Sequence, residues 1–141
     1  MSYLIDTNVI SELRKGGRAD PAVVAWFADL EDEEVFLSVL TLGEIRRGIE
    51  SIRRRDPDGA VALDSWLGRI FETHRERVLP IGQATAEEWG RMNVPDPLPV
   101  VDGLLAATAR ANGLTFATRN VADIARTGVE YLNPFAGPSA G

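Results

Sequence analysis

Short apolar runs alternate along the chain with longer stretches in which apolar residues recur every three or four positions. The short runs predict strands, and the longer stretches predict amphipathic helices. The predicted strands cover residues 3–5, 35–38, 77–81, 114–117 and 129–132. This alternation predicts an α/β domain with a central parallel sheet of about five strands and helices on both faces.

Proline, glycine and capping residues mark the predicted helix ends. Asp20-Pro21 places an N-cap before a proline at the first helical position, and Asp56-Pro57-Asp58 ends one helix and begins another. Besides these two, helices are expected over residues 7–15, 41–54, 85–92, 100–111 and 120–125. The tail, residues 137–141, is expected to be disordered, so that residues 1–136 form the folded domain.

The composition is that of one soluble globular domain, with 141 residues of which 45% are hydrophobic and 26% charged. No cysteine is present, and this excludes disulfides, thiolate nucleophiles and Cys-ligated zinc. The N-terminus has neither the basic segment nor the long apolar run of a secretion signal. We therefore expect a cytoplasmic protein.

The formal net charge of -6 argues against a nucleic-acid ligand, because phosphate contacts favour a basic surface. Two considerations weaken this objection: bound divalent cations would cancel part of the acidic charge, and all but one of the basic residues are arginine, which binds phosphate well. Five arginines cluster in one predicted helix and directly after it, at Arg46, Arg47, Arg53, Arg54 and Arg55. They form either a solvated helix face or a surface that contacts RNA.

The first candidate for chemistry is Asp6, which directly follows the first predicted strand. Ligands of open α/β sheets bind at the carboxyl ends of the strands, and Asp6 stands at such an end. An acid after an apolar strand is explained equally well as the N-cap of the next helix. The other acidic residues have to decide between the two.

Glu44 lies beside the buried stripe that Leu42, Ile45 and Ile49 form on one predicted helix. Gly48 follows one turn later, and its missing side chain leaves the carboxylate of Glu44 uncovered. This arrangement predicts a carboxylate that faces an open cleft. A glutamate at the border of the stripe, paired with Arg47, is the alternative.

Asp102 is followed by Leu105, Ala106 and Ala109, at the spacings that define one face of a helix. The pattern therefore places an aspartate on the apolar side of its helix. Aspartate is rarely buried unless it is paired or bound to a metal. Capping of the helix start is the alternative, because Asp102 lies near it.

The segment after the fourth predicted strand ends at the same edge of the sheet as Asp6. Here Asn120 or Asp123 could serve as a fourth ligand or orient a water molecule, and Thr118 could donate a hydrogen bond to a carboxylate. For Asn120, capping of the short helix that follows is an equally good explanation. The side chain of Arg119 or Arg46 could contact a phosphate.

Ligands that are all oxygen fit a hard cation such as Mg²⁺ or Mn²⁺. The single histidine, His74, stands in a stretch rich in Arg and Glu and has no second histidine near it, so we expect it at the surface. Phosphate-binding glycine loops, nucleophile elbows and Ser/His/Asp triads are all missing from the sequence.

The ordered motifs LIDTNVISEL at 4–13, SVLTLGEIRRGIE at 38–50, ATRNVADI at 117–124 and LNPF at 132–135, together with the helical Asp102, resemble the PIN-domain ribonucleases. The resemblance is strongest to the VapC toxins of type II toxin–antitoxin systems, in particular the FitB-like branch. It spans nearly the whole chain.

The resemblance implies a three-layer α/β/α fold, Mg²⁺- or Mn²⁺-dependent hydrolysis of RNA, a homodimer or larger assembly, and inhibition by a VapB-type antitoxin. It implies Asp6, Glu44 and Asp102 as metal ligands and catalytic residues, with Asn120 at a fourth position that is often Asp in relatives. Thr7, Asn8, Thr118, Arg119 and Asp123 are the predicted supporting residues, and Asp123 is the alternative fourth acid.

Two other functions compete with this interpretation. A haloacid-dehalogenase-like phosphatase would use Asp6 as its nucleophile, but it needs a second Asp where this chain has Asn8 and a later lysine, whereas the only lysine is Lys15. A non-catalytic PIN-like module that binds RNA or a protein partner is compatible with Asn120. Carboxylate-dependent uptake of Mg²⁺ or Mn²⁺ would separate the enzyme from the binding module.

Overall fold

The computed structural model describes residues 1–136 and confirms a central sheet of five parallel strands. The strands are β1 (Tyr3–Ile5), β2 (Val35–Ser38), β3 (Val78–Leu79), β4 (Thr115–Ala117) and β5 (Tyr131–Leu132). The helices are α1 (Thr7–Leu13), α2 (Pro21–Ala28), α3 (Val39–Arg53), α4 (Pro57–Thr73), α5 (Gln83–Met92), α6 (Val100–Ala111) and α7 (Val121–Ala125). The predicted disordered tail, residues 137–141, lies outside the described residues.

Successive residues of β1 point to opposite faces of the sheet and join two separate cores. Ile5 packs with residues of α1 to α4, including Ile49 and Leu67. Leu4 packs on the other face with Leu105 of α6 and with other apolar residues of the second half of the chain. The result is the predicted three-layer arrangement, because each face of the sheet buries its apolar side chains beneath its own set of helices.

The order of strands across the sheet is β3-β2-β1-β4-β5. The chain leaves β1 toward β2 on one side, and it reaches β4 on the other side only after α5 and α6. The strand order therefore reverses between β1 and β4. In open parallel sheets this reversal opens a crevice at the carboxyl ends of the two strands.

Side chains at three helix starts satisfy backbone N–H groups that the helix itself leaves unpaired. Ser38 Oγ accepts from Leu40 N at 3.0 Å at the start of α3, and Asp56 accepts from Gly59 N at 3.0 Å at the start of α4. Asp20 accepts from Ala22 N at 2.9 Å before the proline that begins α2, as the sequence predicts.

Several predicted boundaries are corrected by the structure. The predicted helix 7–15 ends at Leu13, and the predicted helix 41–54 begins at Val39 because Ser38 caps it. The third and fifth strands are shorter than predicted, because only two residues of each pair with a neighbouring strand. Within residues 1–136, no helix is long and apolar enough to cross a membrane.

The prediction that His74 lies at the surface is wrong, because the residue is only 4% exposed. His74 is the C-cap of α4, and its ring folds back so that Nδ1 donates to the carbonyl of Ile70 at 2.9 Å. This hydrogen bond satisfies a carbonyl in the last turn of the helix. The charged residues next to His74 in the sequence do not share its buried position, so their polarity gave the wrong prediction.

Candidate active site

The candidate site lies at the crevice between β1 and β4. Asp6 follows β1 and extends the ladder by one hydrogen bond, in which its backbone N–H donates to the carbonyl of Ala117 at 2.9 Å. Thr118 follows β4 and is completely buried. The backbone of the two strands therefore fixes the separation of these two side chains.

The carboxylate of Asp6 is 4% exposed and is held by neutral donors. Its Oδ1 accepts from Thr7 N at 2.6 Å, while its Oδ2 accepts from Thr118 Oγ1 at 2.7 Å and from Asn8 Nδ2 at 3.2 Å. Within residues 1–136, no Lys or Arg pairs with it. Asp6 is thus the N-cap of α1 and also a buried carboxylate in the crevice, so the two explanations are compatible.

Burial raises the pKa of Asp6 from 3.8 to about 6. The hydrogen bonds from Thr118 and Thr7 lower the pKa, but the negative charges of Asp102 and Glu44 raise it further. The three acids are therefore close enough that the negative charge of one disfavours ionisation of the others. This is the electrostatic condition of a site that gains from a cation.

The carboxylate of Glu44 is held from the α1 side of the crevice. Thr7 Oγ1 donates to Glu44 Oε1 at 2.6 Å and lies 3.2 Å from the hydroxyl of Thr41, which is buried in the first turn of α3. The alternative pairing of Glu44 with Arg47 is not present among the described residues. Thr41 is a participant that sequence analysis missed, and its position three residues before Glu44 on the same helix is the signal that could have found it.

Asp102 lies in the first turn of α6, opposite the segment that follows β4. Its Oδ2 accepts from Asn120 Nδ2 at 3.0 Å. Partial burial raises the pKa of Asp102, the hydrogen bond from Asn120 lowers it, and the charges of Glu44 and Asp123 raise it. The N-cap of α6 is Pro99, so capping does not account for Asp102.

The residues after β4 connect the two sides of the crevice. Asn120 is the N-cap of α7 by position, but its side chain makes no capping hydrogen bond and reaches Asp102 instead. Its backbone N–H donates to Thr118 Oγ1 at 3.0 Å. The Thr118 hydroxyl therefore accepts from Asn120 and donates its own proton to Asp6.

Arg119 lies at the rim of the crevice. Its backbone N–H donates to Asn8 Oδ1 at 3.3 Å, and its guanidinium carbon lies 4.4 Å above the centre of the Phe135 ring. Sequence analysis missed Phe135 as a site residue, although Phe135 lies in the LNPF motif. By contrast, Arg46 pairs with Glu50 and Asp64 on the opposite side of α3, and it does not reach the crevice.

A hydrogen-bonded network joins every predicted site residue except Asp123, which acts on Asp102 through its charge. Among residues 1–136, no group of three or more His, Asp or Glu side chains is arranged so that it could hold a metal ion as it stands. The donor chemistry nevertheless fits a hard cation, because the available ligands are carboxylate, hydroxyl and amide oxygens.

The PIN domain family model matches residues 3–129. The chain belongs to the PIN-domain family. This PIN domain is 33% identical to the VapC ribonuclease Y4jK of Sinorhizobium fredii, over 94% of this chain and 96% of the relative. It is 30% identical to Toxin FitB of Neisseria gonorrhoeae, over 94% of this chain and 97% of the relative. The predicted family is confirmed.

Solved structures agree with the fold of this PIN domain. The crystal structure of FitAcB from Neisseria gonorrhoeae contains a chain that superposes with a TM-score of 0.87 at 30% identity, covering 94% of this chain and 98% of that one. VapBC2 from Rickettsia felis, solved with a promoter DNA fragment, gives a TM-score of 0.73 at 17% identity and 94% and 98% coverage. The second match supports the fold alone.

Proposed function

We propose that this PIN domain is the toxin of a VapBC-type toxin–antitoxin module and that it hydrolyses phosphodiester bonds of RNA. The single observation that carries the proposal is the gathering of Asp6, Glu44 and Asp102 in one crevice with neutral hydrogen-bond donors only. The likeness to the VapC ribonuclease over almost the whole chain supports the choice of RNA as substrate.

A Mg²⁺ or Mn²⁺ ion would be held by Asp6, Glu44 and Asp102. When bound, it would supply positive charge that lowers the pKa of water and neutralises the charge developing on the phosphate. Glu44 Oε2 and Asp102 Oδ1 accept no hydrogen bond within residues 1–136 and are thus available as ligands. Because the present arrangement is not a complete metal cage, side chains have to adjust when the ion binds.

The neutral partners of the acids have positioning roles in this proposal. Thr7 holds Glu44, Thr118 holds Asp6, and Asn120 holds Asp102, each through one carboxylate oxygen. Asn120 takes the fourth position as a donor to Asp102 and not as an acid, while Asp123 adds negative charge nearby. Arg119, at the rim, is the proposed contact to a substrate phosphate.

The proposed partner is a VapB-type antitoxin, and the similar FitB toxin supports it because solved structures contain FitB within FitAB assemblies. A homodimer is part of the same proposal. We place the protein in the cytoplasm, where cellular RNA is its substrate.

The test uses antitoxin-free protein, single-stranded RNA and Mg²⁺. The wild type should cut the RNA and leave 5′-phosphate and 3′-hydroxyl ends, and Asp6→Asn or Asp102→Asn should each lower the rate at least about a hundredfold, since the metal supplies several kcal/mol. Asp64→Asn removes an acid outside the crevice and should cut like the wild type. Equal rates in all four proteins would contradict the assignment.

A second candidate is a PIN-like module that binds RNA or a partner without cutting, and Asn120 at the fourth position favours it. Calorimetry separates the two functions. A ribonuclease site should take up Mn²⁺ in the wild type and lose that uptake in Asp102→Asn, whereas a pure binding module should show no carboxylate-dependent uptake in either protein.

A further inference from the structure

The five arginines between residues 46 and 55 form two groups with different surroundings. Arg46 and Arg53 both pair with Asp64 of α4, and both also pair with Glu50 of α3 itself. The distances are 2.7 Å from Arg53 Nη2 to Asp64 Oδ2 and 2.9 Å from the same atom to Glu50 Oε2. These two arginines hold α3 and α4 together and are not available to a ligand.

The other three arginines, Arg47, Arg54 and Arg55, are exposed and pair with no carboxylate among residues 1–136. At about 100° per residue, all three lie within roughly 80° of Glu44 around the axis of α3, whereas Arg46 and Arg53 lie on the opposite side. α3 ends at Arg53, and Arg54 follows it with right-handed helical backbone angles. The backbone N–H groups of Arg55 and Asp56 still donate to the carbonyl of Ile52, at 3.0 and 2.8 Å, so this turn continues the course of the helix as far as Arg55.

Arg54 and Arg55 directly follow the last residue of α3, whereas Arg47 lies about two turns earlier. Arg47 stands about 4.5 Å along the axis from Glu44, and Arg55 stands about 16 Å from it. Attraction to the carboxyl end of the helix could account for Arg54 and Arg55. It does not account for Arg47, which precedes the last turn and still leaves Glu44 unpaired.

The surface between these arginines is small and polar. Gly48 and Ser51 lie there, both exposed, and a Cβ added at Gly48 would meet no atom within 4 Å. No packing inside the protein therefore requires glycine at this helical position, although glycine weakens a helix. A flat surface of this kind lets an extended chain lie close to the helix.

We propose that Arg47, Arg54 and Arg55 form a phosphate track along α3 and the turn after it, which holds single-stranded RNA on one side of the bond that is cut. The inference rests on the proposed ribonuclease function and deepens it. Guanidinium groups are well suited to phosphate oxygens, and their spacing along a groove follows a backbone without reading bases. Gly48 and Ser51, which lie between the arginines, offer a protein partner no aromatic or apolar side chain.

The test measures binding separately from cleavage. All proteins carry Asp6→Asn and are kept in a chelator, so that neither cutting nor metal contacts contribute. The probe is a fluorescein-labelled oligouridylate of about 12 nucleotides, and its anisotropy gives the affinity at several salt concentrations. The test variant replaces three arginines by Gln, at Arg47, Arg54 and Arg55. The matched control also replaces three arginines by Gln, at Arg69, Arg75 and Arg91.

The test variant should bind at least about tenfold more weakly, and its plot of log affinity against log salt should be shallower by about 2, the value for three lost single-strand phosphate contacts. Arg47→Gln alone should change the slope by about 0.7. The control loses the same charge from α4, the turn after it and α5, so equal losses in both triple variants would mean a general charge effect and would overturn the track.

Unchanged RNA affinity in the test variant would also overturn the track, and loss of antitoxin binding in that variant would assign the face to the protein partner. Cleavage by the protein without Asp6→Asn is assayed in parallel. If that protein cuts RNA while the test variant binds RNA with normal affinity, the track is wrong and the ribonuclease assignment stands. If it neither cuts nor binds RNA, both proposals fail.

Discussion

Two groups of carboxylates in this protein are stabilised in opposite ways. On the outer side of α3 and α4, Glu50 and Asp64 each contact both Arg46 and Arg53. Hydrogen bonds from Arg53 are the largest cause of the lowered pKa of both acids. These carboxylates have their counter-ions within the protein, and they need nothing from outside.

At the edge of the sheet the acids have no such counter-ion among residues 1–136. Asp6 is held by hydroxyl, amide and backbone groups, Asp102 by the amide of Asn120, and burial raises the pKa of both. Arginine is abundant in this chain, so the difference is one of placement. Such a site holds negative charge at a cost in stability, and a cation from outside would offset that cost.

The largest expected effect follows from the raised pKa of Asp6, about 6 against an ordinary 3.8. The folded, metal-free protein binds this proton more tightly than the unfolded chain does. The stabilisation that Asp6 contributes is therefore complete below about pH 4 and is lost as the pH rises through about 6. The full difference is about 3 kcal/mol.

Urea unfolding in a chelator, at a series of pH values, measures this contribution. The free energy of unfolding of the wild type should fall relative to that of Asp6→Asn as the pH rises from 4 to 7, and above pH 7 the variant should be the more stable protein. Parallel curves would show that Asp6 carries no such charge penalty, and the contrast between the two acidic groups would disappear.

Addition of Mg²⁺ should remove the penalty at neutral pH. At a concentration about 100 times its dissociation constant, the ion should raise the free energy of unfolding by about 2.7 kcal/mol, because it binds the folded protein only. Potassium chloride of equal ionic strength is the control for screening. The same gain in a variant with both Asp6→Asn and Asp102→Asn would place the ion elsewhere.

Thr118→Val should weaken the site without removing an acid. The variant loses the 2.7 Å hydrogen bond to Asp6 and the oxygen that accepts from Asn120 N–H, so both sides of the crevice lose their alignment. RNA cleavage should fall about 10- to 100-fold, and Mn²⁺ affinity measured by calorimetry should fall with it. Thr118→Ser restores the hydroxyl and should recover both; a Ser variant as poor as Val would indicate a packing defect.

The sequence was sufficient to predict where the acidic residues lie in the fold. Asp6 after an apolar strand and Asp102 before Leu105 and Ala109 predicted acids at the carboxyl edge, because periodicity and strand order determine which face a residue takes. Thr118 was predicted as a donor to a carboxylate, but the sequence did not show which acid each donor holds. Thr7 and Glu44 are 37 residues apart, and their hydrogen bond depends on how α1 and α3 pack.

The arginines of α3 show the same limit. Sequence periodicity separates Arg46 and Arg53 from Arg47 by helix face, but it does not show which face meets α4. Only the packed structure places Asp64 beside the first two. The prediction that His74 lies at the surface was wrong for a related reason. A polar sequence context does not reveal that the imidazole at a helix end folds inward.

The smallest expected effect tests the other side of the comparison. Asp64→Asn removes the acid that both Arg46 and Arg53 contact at an exposed surface, where solvent screens ion pairs. The free energy of unfolding at neutral pH should fall slightly, opposite in sign to the change in metal-free Asp6→Asn, and the loss should shrink at roughly 1 M salt. Because Glu50 remains to pair with both arginines, the loss should stay well below the gain at Asp6. A stabilised Asp64→Asn variant would mean that the paired acids also carry a charge penalty, and the two groups would then differ only in exposure.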